Sequence, residues 1–275
     1  MKKIVLLIVF GFLFVGFLFV FNSLEKGITG EVVGIEEETI SLSCSNVLGY
    51  WTFDGDIEDS SGNNYDGEII QKVVFSEGII GKSIEITHNK DNPYSRVTLP
   101  AKVLDGEEKY SISFWTKTTD GYGLIFHSSK KGKPYDTNMM ISSGPNRGKV
   151  CATSWKNSMC TSARINDGKW HHVVVSADTE GDESFNVYVD GRFVQNSGKD
   201  KINLEPVGEI YLGGLYGTGV GKWGATWYKY DGLVDEFAIF NGLLTDKQVS
   251  ELYNKGKGRI VCGNVTKEEF LSWSR

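Results

Sequence analysis

The chain has 275 residues and a formal net charge of −6. That balance argues against a partner held mainly through phosphates, because such binding needs clustered Lys and Arg to release counterions. Thirty-three glycines against five prolines, with 12% aromatics, suit many short strands joined by tight turns and argue against a bundle of long helices. The length accommodates one all-β domain of about 200 residues plus a targeting segment.

From Ile4 to Phe21 the run IVLLIVFGFLFVGFLFVF carries no charge and follows Lys2 and Lys3. Its length is about the minimum for a bilayer span. The positive-inside rule keeps the two lysines cytoplasmic and sends the remainder outward. The following FNSLEKG offers no small-residue cleavage site of the A-x-A kind. The expectation is an N-terminal transmembrane anchor, or uncleaved signal, over residues 1–23, with simple secretion as the alternative. Residues 24–45 are polar and acidic without apolar periodicity, as a stalk would be. The protein would then sit in the cell membrane as a single-pass chain with its domain on the extracytoplasmic side.

Residues 46–256 hold strand-sized runs, among them VLGYWTF, GEIIQKVVF, YSISFWTKT, YGLIFHSS, WHHVVVSA, SFNVYVD, GEIYLGG and GLVDEFAIF. In the third, Tyr110, Ile112, Phe114 and Thr116 would line one face and Ser111, Ser113 and Trp115 the other. Asp190-Gly191 between NVYV and RFV is a two-residue hairpin signal, because that turn needs positive φ at both central residues. One helix is expected, with Thr245 as N-cap, Gln248 closing a capping box, and Val249, Leu252 and Tyr253 at helical spacing before Gly256. Residues 257–275 form a C-terminal tail with a sequon at Asn264.

Four cysteines in an exported chain favour two disulfides over a metal site, since no C-x-x-C occurs. Cys151 and Cys160 flank ATSWKNSM, in which KNS supplies a turn, and would face each other across a hairpin. Cys44 and Cys262 would then pair. That bridge brackets the domain and requires its ends to lie within about 7 Å between Cα atoms.

The order GYWTFDGDIEDSSGNNYDGEI, YSISFWTKT, DGKWHHVVVSADTEGDESFNVYVDGRFV, IYLGG and YDGLVDEFAIFNGLLTDKQVSELYNKG resembles the laminin G-like, concanavalin A-like jelly rolls over roughly residues 46–256. The resemblance implies a two-sheet antiparallel jelly-roll β-sandwich with Greek-key connections, a concave face and binding sites on rim loops. It also implies that the first and last strands are neighbours, which fits a Cys44 to Cys262 bridge. Fold does not fix function, because this family spans adhesins, lectin-like modules and enzyme accessory domains.

Two loops stand out. Asp54, Asp56, Glu58 and Asp59 precede SSGNNYDG, and such a cluster must be solvated or neutralised by a cation. Calcium is the natural candidate, because it takes oxygen ligands in a pliable loop. Some relatives carry calcium where this early loop meets the last strand, which implies Asp54, Asp59, Asn64 and Asp235 as ligands. The alternative is a solvated turn capped by Asp59 and Ser60. The second loop, GLYGTGVGKWGATWYKYDG, holds Tyr216, Trp223, Trp227, Tyr228 and Tyr230 among glycines. Flat aromatic faces suit stacking on sugar rings or protein anchors, although alternation could equally send one pair into the core. Trp155, at the tip of the proposed disulfide hairpin, is a further candidate of that kind.

Adjacent His171 and His172 point to opposite faces of a strand and cannot chelate one ion together, so they read as hydrogen-bonded sheet residues. No E-x-D-x-x-E run supplies paired acids for glycoside hydrolysis, and no G-x-S-x-G elbow is present. The function expected is non-enzymatic binding of an extracellular glycan or surface protein, with an envelope structural module as the alternative and a hydrolase ranked last.

Overall fold

The computed structural model describes residues 44–121, 123–129, 139–142, 148–153, 158–179, 184–197, 209–214 and 229–261. The expected anchor, the stalk up to residue 43, Cys262, Trp155, Tyr216, Trp223, Trp227 and Tyr228 lie outside these residues. Among the described residues no helix is long and apolar enough to cross a membrane.

The strands, in chain order, are β1 (Val47–Trp51), β2 (Glu68–Ile70), β3 (Val74–Glu77), β4 (Lys82–Ile86), β5 (Arg96–Pro100), β6 (Lys109–Lys117), β7 (Leu124–Ser129) and β8 (Met139–Ser142). They continue as β9 (Lys149–Thr153), β10 (Ser158–Arg164), β11 (Trp170–Asp178), β12 (Ser184–Val189), β13 (Arg192–Asn196), β14 (Glu209–Leu212) and β15 (Gly232–Asn241), followed by helix α1 (Asp246–Tyr253). Among the described residues they form two antiparallel sheets. The first runs β13-β12-β11-β6-β15-β4-β3, with β1 also on β15, and the second runs β10-β9-β8-β7-β14-β5-β2.

Period-2 alternation builds the core. Tyr110, Ile112 and Phe114 of β6 enter it together with Val173, Val175 and Ala177 of β11 and Val97 and Leu99 of β5. Trp51, Phe114 and Phe126 gather around Phe237 with ring centroids 5.8–5.9 Å apart. Each such ring contributes about 1.5–3 kcal/mol by leaving water. The opposite face of β6 does not meet solvent, as Ser111, Ser113 and Trp115 are all buried. There α1 and the following residues cover the first sheet, with Val249, Leu252 and Val261 packing on Tyr50, Val174, Tyr188 and Phe240. The packed unit thus runs on to Val261.

Local signals act as their chemistry dictates. Thr245 accepts from the Gln248 backbone while the Gln248 side chain accepts from Thr245, so the capping box is complete. Asp190 and Gly191 both take positive φ, 52° and 73°, as the hairpin turn requires. Cys151 and Cys160 are register partners in the β9–β10 hairpin and are disulfide-bonded. Cys44 is also disulfide-bonded.

The run GEIIQKVVF is two strands rather than one. Gln71, at φ 64°, turns the chain so that β2 pairs with β5 in the second sheet and β3 with β4 in the first. The last strand is also interrupted. β15 pairs with β4 over Gly232–Val234 and with β1 over Phe237–Phe240. At the change-over its register against β6 shifts between Asp235 and Ala238, with Glu236 at φ 50°. This is a β-bulge, and it re-aims the side chains around it.

Candidate functional site

Ile210 and Leu212 of β14 enter the core, so the intervening Tyr211 and the preceding Glu209 face the other side of the second sheet. In register, Tyr211 stands between Thr98 of β5 and His127 of β7. The Arg96 guanidinium lies 5.4 Å from the Tyr211 ring centre, and the His127 ring stacks on the same ring at 5.8 Å and 23°. The order β5-β14-β7 puts guanidinium and imidazole on opposite sides of the phenol. All three residues are buried. Burial pushes His127 down to about 3, so it serves as a neutral ring. The Tyr211 hydroxyl donates to Glu209 Oε2 at 2.6 Å.

Two concavities border this stack. Beyond Glu209 a groove of about 370 Å³ is lined by Asp66, Glu68, Thr98, Pro100 and Lys102. Beyond Arg96 a small cleft is bordered by His88, Tyr94, Gly214 and Lys229. Tyr94 is 44% exposed, which makes it the aromatic surface of this end. His88 is fixed there, since its Nδ1 and its backbone N–H both meet Asp231 Oδ1 at 2.8 Å. Gly214 and Lys229 are the described ends of the glycine-rich aromatic segment. Tyr230 from that segment belongs to the core. It is wholly buried, its hydroxyl bonds Thr116 Oγ1 and the Leu233 carbonyl, and burial pushes its phenol well up.

The acidic loop has a different task. Asp59 Oδ1 accepts from the N–H groups of Tyr50 at 3.0 Å and Ser61 at 2.9 Å, and its Oδ2 accepts from Tyr65 at 3.0 Å. Ser60 N–H donates to the Tyr50 carbonyl at 2.7 Å, and Asn63 Nδ2 donates to the carbonyls of Val47 and Leu48. The loop thereby satisfies the side of β1 that β15 does not pair. Asn64 turns the chain at φ 62° and donates to the Gly62 carbonyl at 3.4 Å.

Asp54 and Asp235 come together instead on the turn between β3 and β4. Asp235 Oδ2 accepts from Ile79 N–H at 2.7 Å and Ile80 N–H at 3.3 Å, while Asp54 Oδ1 accepts from Lys82 N–H at 2.6 Å. Gly78 and Gly81 permit this approach, since a Cβ on either would collide with the Asp235 or the Asp54 carboxylate. Of the four expected calcium ligands, the structure therefore brings Asp54 and Asp235 to one turn and commits Asp59 and Asn64 to their own loop. Glu236 adjoins Asp235 in the bulge. Its Oε2 accepts from the Tyr50 hydroxyl, while Oε1 is buried with no hydrogen-bond partner. Burial pushes Asp235 up to about 7. It raises Glu236 well above the ordinary carboxylate range, with Asp235 and Asp54 adding to the effect. Among the described residues no group of three or more His, Cys, Asp or Glu is arranged to hold a metal ion.

The two histidines do face opposite ways. His172 Nε2 meets Ser113 Oγ at 2.8 Å and its ring packs against Trp115 at 5.1 Å. His171 lies between Asp190 and Asp167. Sequence reasoning missed Arg96, His127, Tyr211, Glu209 and Glu68. The alternation in GEIYLGG and YGLIFHSS marks Tyr211 and His127 as facing away from the core, but only the strand order shows that they meet.

Solved structures that share this fold include a domain of an arabinanase and the binding domain of a botulinum neurotoxin. Domain 4 of AbnA, an extracellular arabinanase from Geobacillus stearothermophilus, solved in complex with arabinotriose, matches with 23% identity and a TM-score of 0.56 over 75% of this chain and 97% of that one. A botulinum neurotoxin type C structure, described as entering cells through two ganglioside molecules, matches with 16% identity and a TM-score of 0.59 over 77% of this chain and 51% of that one. The binding domain of botulinum neurotoxin DC, solved in complex with rat synaptotagmin II, matches with 16% identity and a TM-score of 0.58 over 78% of this chain and 52% of that one. The chain thus spans about half of each toxin structure. No curated protein sequence matches it. The family profile Laminin_G_3, described as the concanavalin A-like lectin/glucanases superfamily, matches residues 90–250, and with the two-sheet sandwich in view the chain belongs to that family.

Proposed function

We propose that the chain is a membrane-anchored, extracytoplasmic recognition module that binds carbohydrate or another surface ligand, without catalysis, across the outer face of its second sheet. The observation that carries this reading is the polar strip on that face. Exposed Tyr94 lies at one end and a groove bearing Asp66, Glu68 and Glu209 at the other, with the buried Arg96–Tyr211–His127 stack bracing the sheet between them. A flat ring offers a stacking surface for a sugar, and aligned carboxylates accept from its hydroxyls. Tyr216, Trp223, Trp227, Tyr228 and Trp155 are proposed as further stacking residues. The arabinotriose-bound and ganglioside-dependent relatives support a glycan, and the synaptotagmin complex keeps a surface protein as the second reading. A glycan array with the full-length protein tests it. Binding that Tyr94→Ala, Glu209→Gln or Trp227→Ala weakens about tenfold or more agrees with the loss of a hot-spot contact. No glycan bound, alongside capture of a defined envelope protein, would favour the second reading.

A structural calcium ion belongs to the same proposal, at Asp54 and Asp235, the two expected ligands that the β3–β4 turn brings together. Two carboxylates meeting on one turn supply part of the oxygen shell that a hard cation prefers, and backbone carbonyls or water would complete it. Its chemistry there would be charge neutralisation. Thermal unfolding at pH 8 with calcium against EDTA tests it. A rise in Tm with calcium that Asp235→Asn removes supports the site, and identical curves reject it.

A further inference from the structure

A neutral imidazole carries one N–H, so it can donate to one acceptor only. His171 has two. Its Nδ1 lies 2.9 Å from Asp190 Oδ2 and its Nε2 3.0 Å from Asp167 Oδ1. Both contacts are attractive only for the imidazolium, since a bare ring nitrogen facing a carboxylate oxygen is repelled by it. The side chain is 13% exposed, so water replaces neither contact fully.

The two carboxylates belong to separate pieces of chain. Asp167 lies on the loop between β10 and β11. Asp190 is the first residue of the β12–β13 turn, held at φ 52°, and its Oδ1 also accepts from His172 N–H at 3.0 Å. The turn's second residue, Gly191, sits so close to the Tyr253 ring that a Cβ there would collide with it. Tyr253 in turn stacks on Trp115 at 5.7 Å. His171 thus stands where the edge hairpin of the first sheet meets both its neighbouring loop and α1. Other charged groups on the surrounding elements are Lys117 of β6, Asp120 of the loop after it, Arg192 beyond the turn, and Lys169, which joins through Asp167 at 3.6 Å.

We propose that Asp167, His171 and Asp190 form a proton-operated clamp on the β12–β13 edge hairpin, closed while His171 is an imidazolium and released when it loses its proton. The direction of titration agrees. Hydrogen bonding to Asp190 raises His171 above 6.5, burial opposes this, and Asp167 adds to the rise. A raised histidine makes its full contribution to stability below its ordinary value and loses it as pH climbs through the folded value. The clamp is therefore closed in mildly acidic surroundings and opens on the alkaline side of 6.5.

Hydrogen exchange of the full-length protein from pH 6 to 9, corrected for the intrinsic rate, tests this. Protection of the Asn186–Asn196 amides should fall by about threefold or more in the wild type, as expected when a local opening becomes easier, with no matching change in β6. His171→Gln should show the weaker protection at every pH. If that variant fails to fold, Asp167→Asn, at an exposed position, should flatten the profile in the same sense. A wild-type profile independent of pH, or a variant that keeps the wild-type fall, overturns the proposal. Loss of protection by a structural role alone would be equal at all pH values, and that outcome also rejects it.

Discussion

Asp59→Ala removes the acceptor of three backbone N–H groups at once: Tyr50, Ser61 and Tyr65. Hydrogen bonds to a charged group contribute about 1.5–3 kcal/mol each, and a donor left buried without a partner carries a further penalty. Tyr50 is wholly buried, so its N–H is stranded, whereas Ser61 and Tyr65 are half-buried and recover some hydration. The expected loss is about 3–5 kcal/mol, read as a shift of the urea midpoint at unchanged slope. Asp59→Asn keeps an oxygen for Tyr50 and Ser61, gives up the Tyr65 contact, and should cost about 1–2 kcal/mol. Both losses should be the same in calcium and in EDTA, because the carboxylate is committed to the backbone. A loss under about 1 kcal/mol for Asp59→Ala, or one that appears only with calcium present, would refute the view of this loop as the cap on the open side of β1.

Removing the Cys151–Cys160 bridge by double serine substitution opens a closed loop with a sequence separation of 9. Chain entropy sets the expected cost at about 3 kcal/mol, measurable as the denaturation difference from wild type without reductant. Thr245→Ala deletes the N-cap acceptor and should lower stability by about 1 kcal/mol, with Thr245→Ser restoring most of it. Gly81→Ala places a side chain at φ 55° against the Asp54 carboxylate. It should destabilise by more than about 1 kcal/mol, and pairing it with Asp54→Ala should recover the steric part.

The fold was legible because its signals are local. Alternation in YSISFWTKT, the Asp190-Gly191 turn, the Thr245–Gln248 box and the cysteines flanking a turn each depend on residues a few positions apart. The site was less legible because its members meet through strand order. Arg96, His127 and Tyr211 lie far apart in the chain and touch only because β5, β14 and β7 are consecutive in one sheet. Alternation places Asp235 and Glu236 on opposite faces, but it cannot register a bulge in which a glutamate adopts a left-handed backbone. The acidic cluster was visible as charge. Its division into a cap for β1 and a brace for the β3–β4 turn was not, since both roles are played toward backbone N–H groups that any residue could present. Tyr230 shows the same limit, as its hydroxyl finds Thr116 across 114 positions.

The placement of β15 bears on how the domain is made. It lies between β6 on one side and β4 and β1 on the other, so the middle of the first sheet stays vacant until nearly all of the domain has been synthesised. β1 must wait for a partner roughly 190 residues downstream, as in the pairing of Tyr50 with Ala238. Loop closure over such a span comes before any reward from pairing, which slows folding toward the millisecond-to-second range. Until Phe237 arrives, Trp51, Phe114 and Phe126 lack the ring they surround. A nascent chain in that condition exposes aromatic surface and an unpaired strand edge, so a chaperone acting on it would need to hold both until the final strand is released.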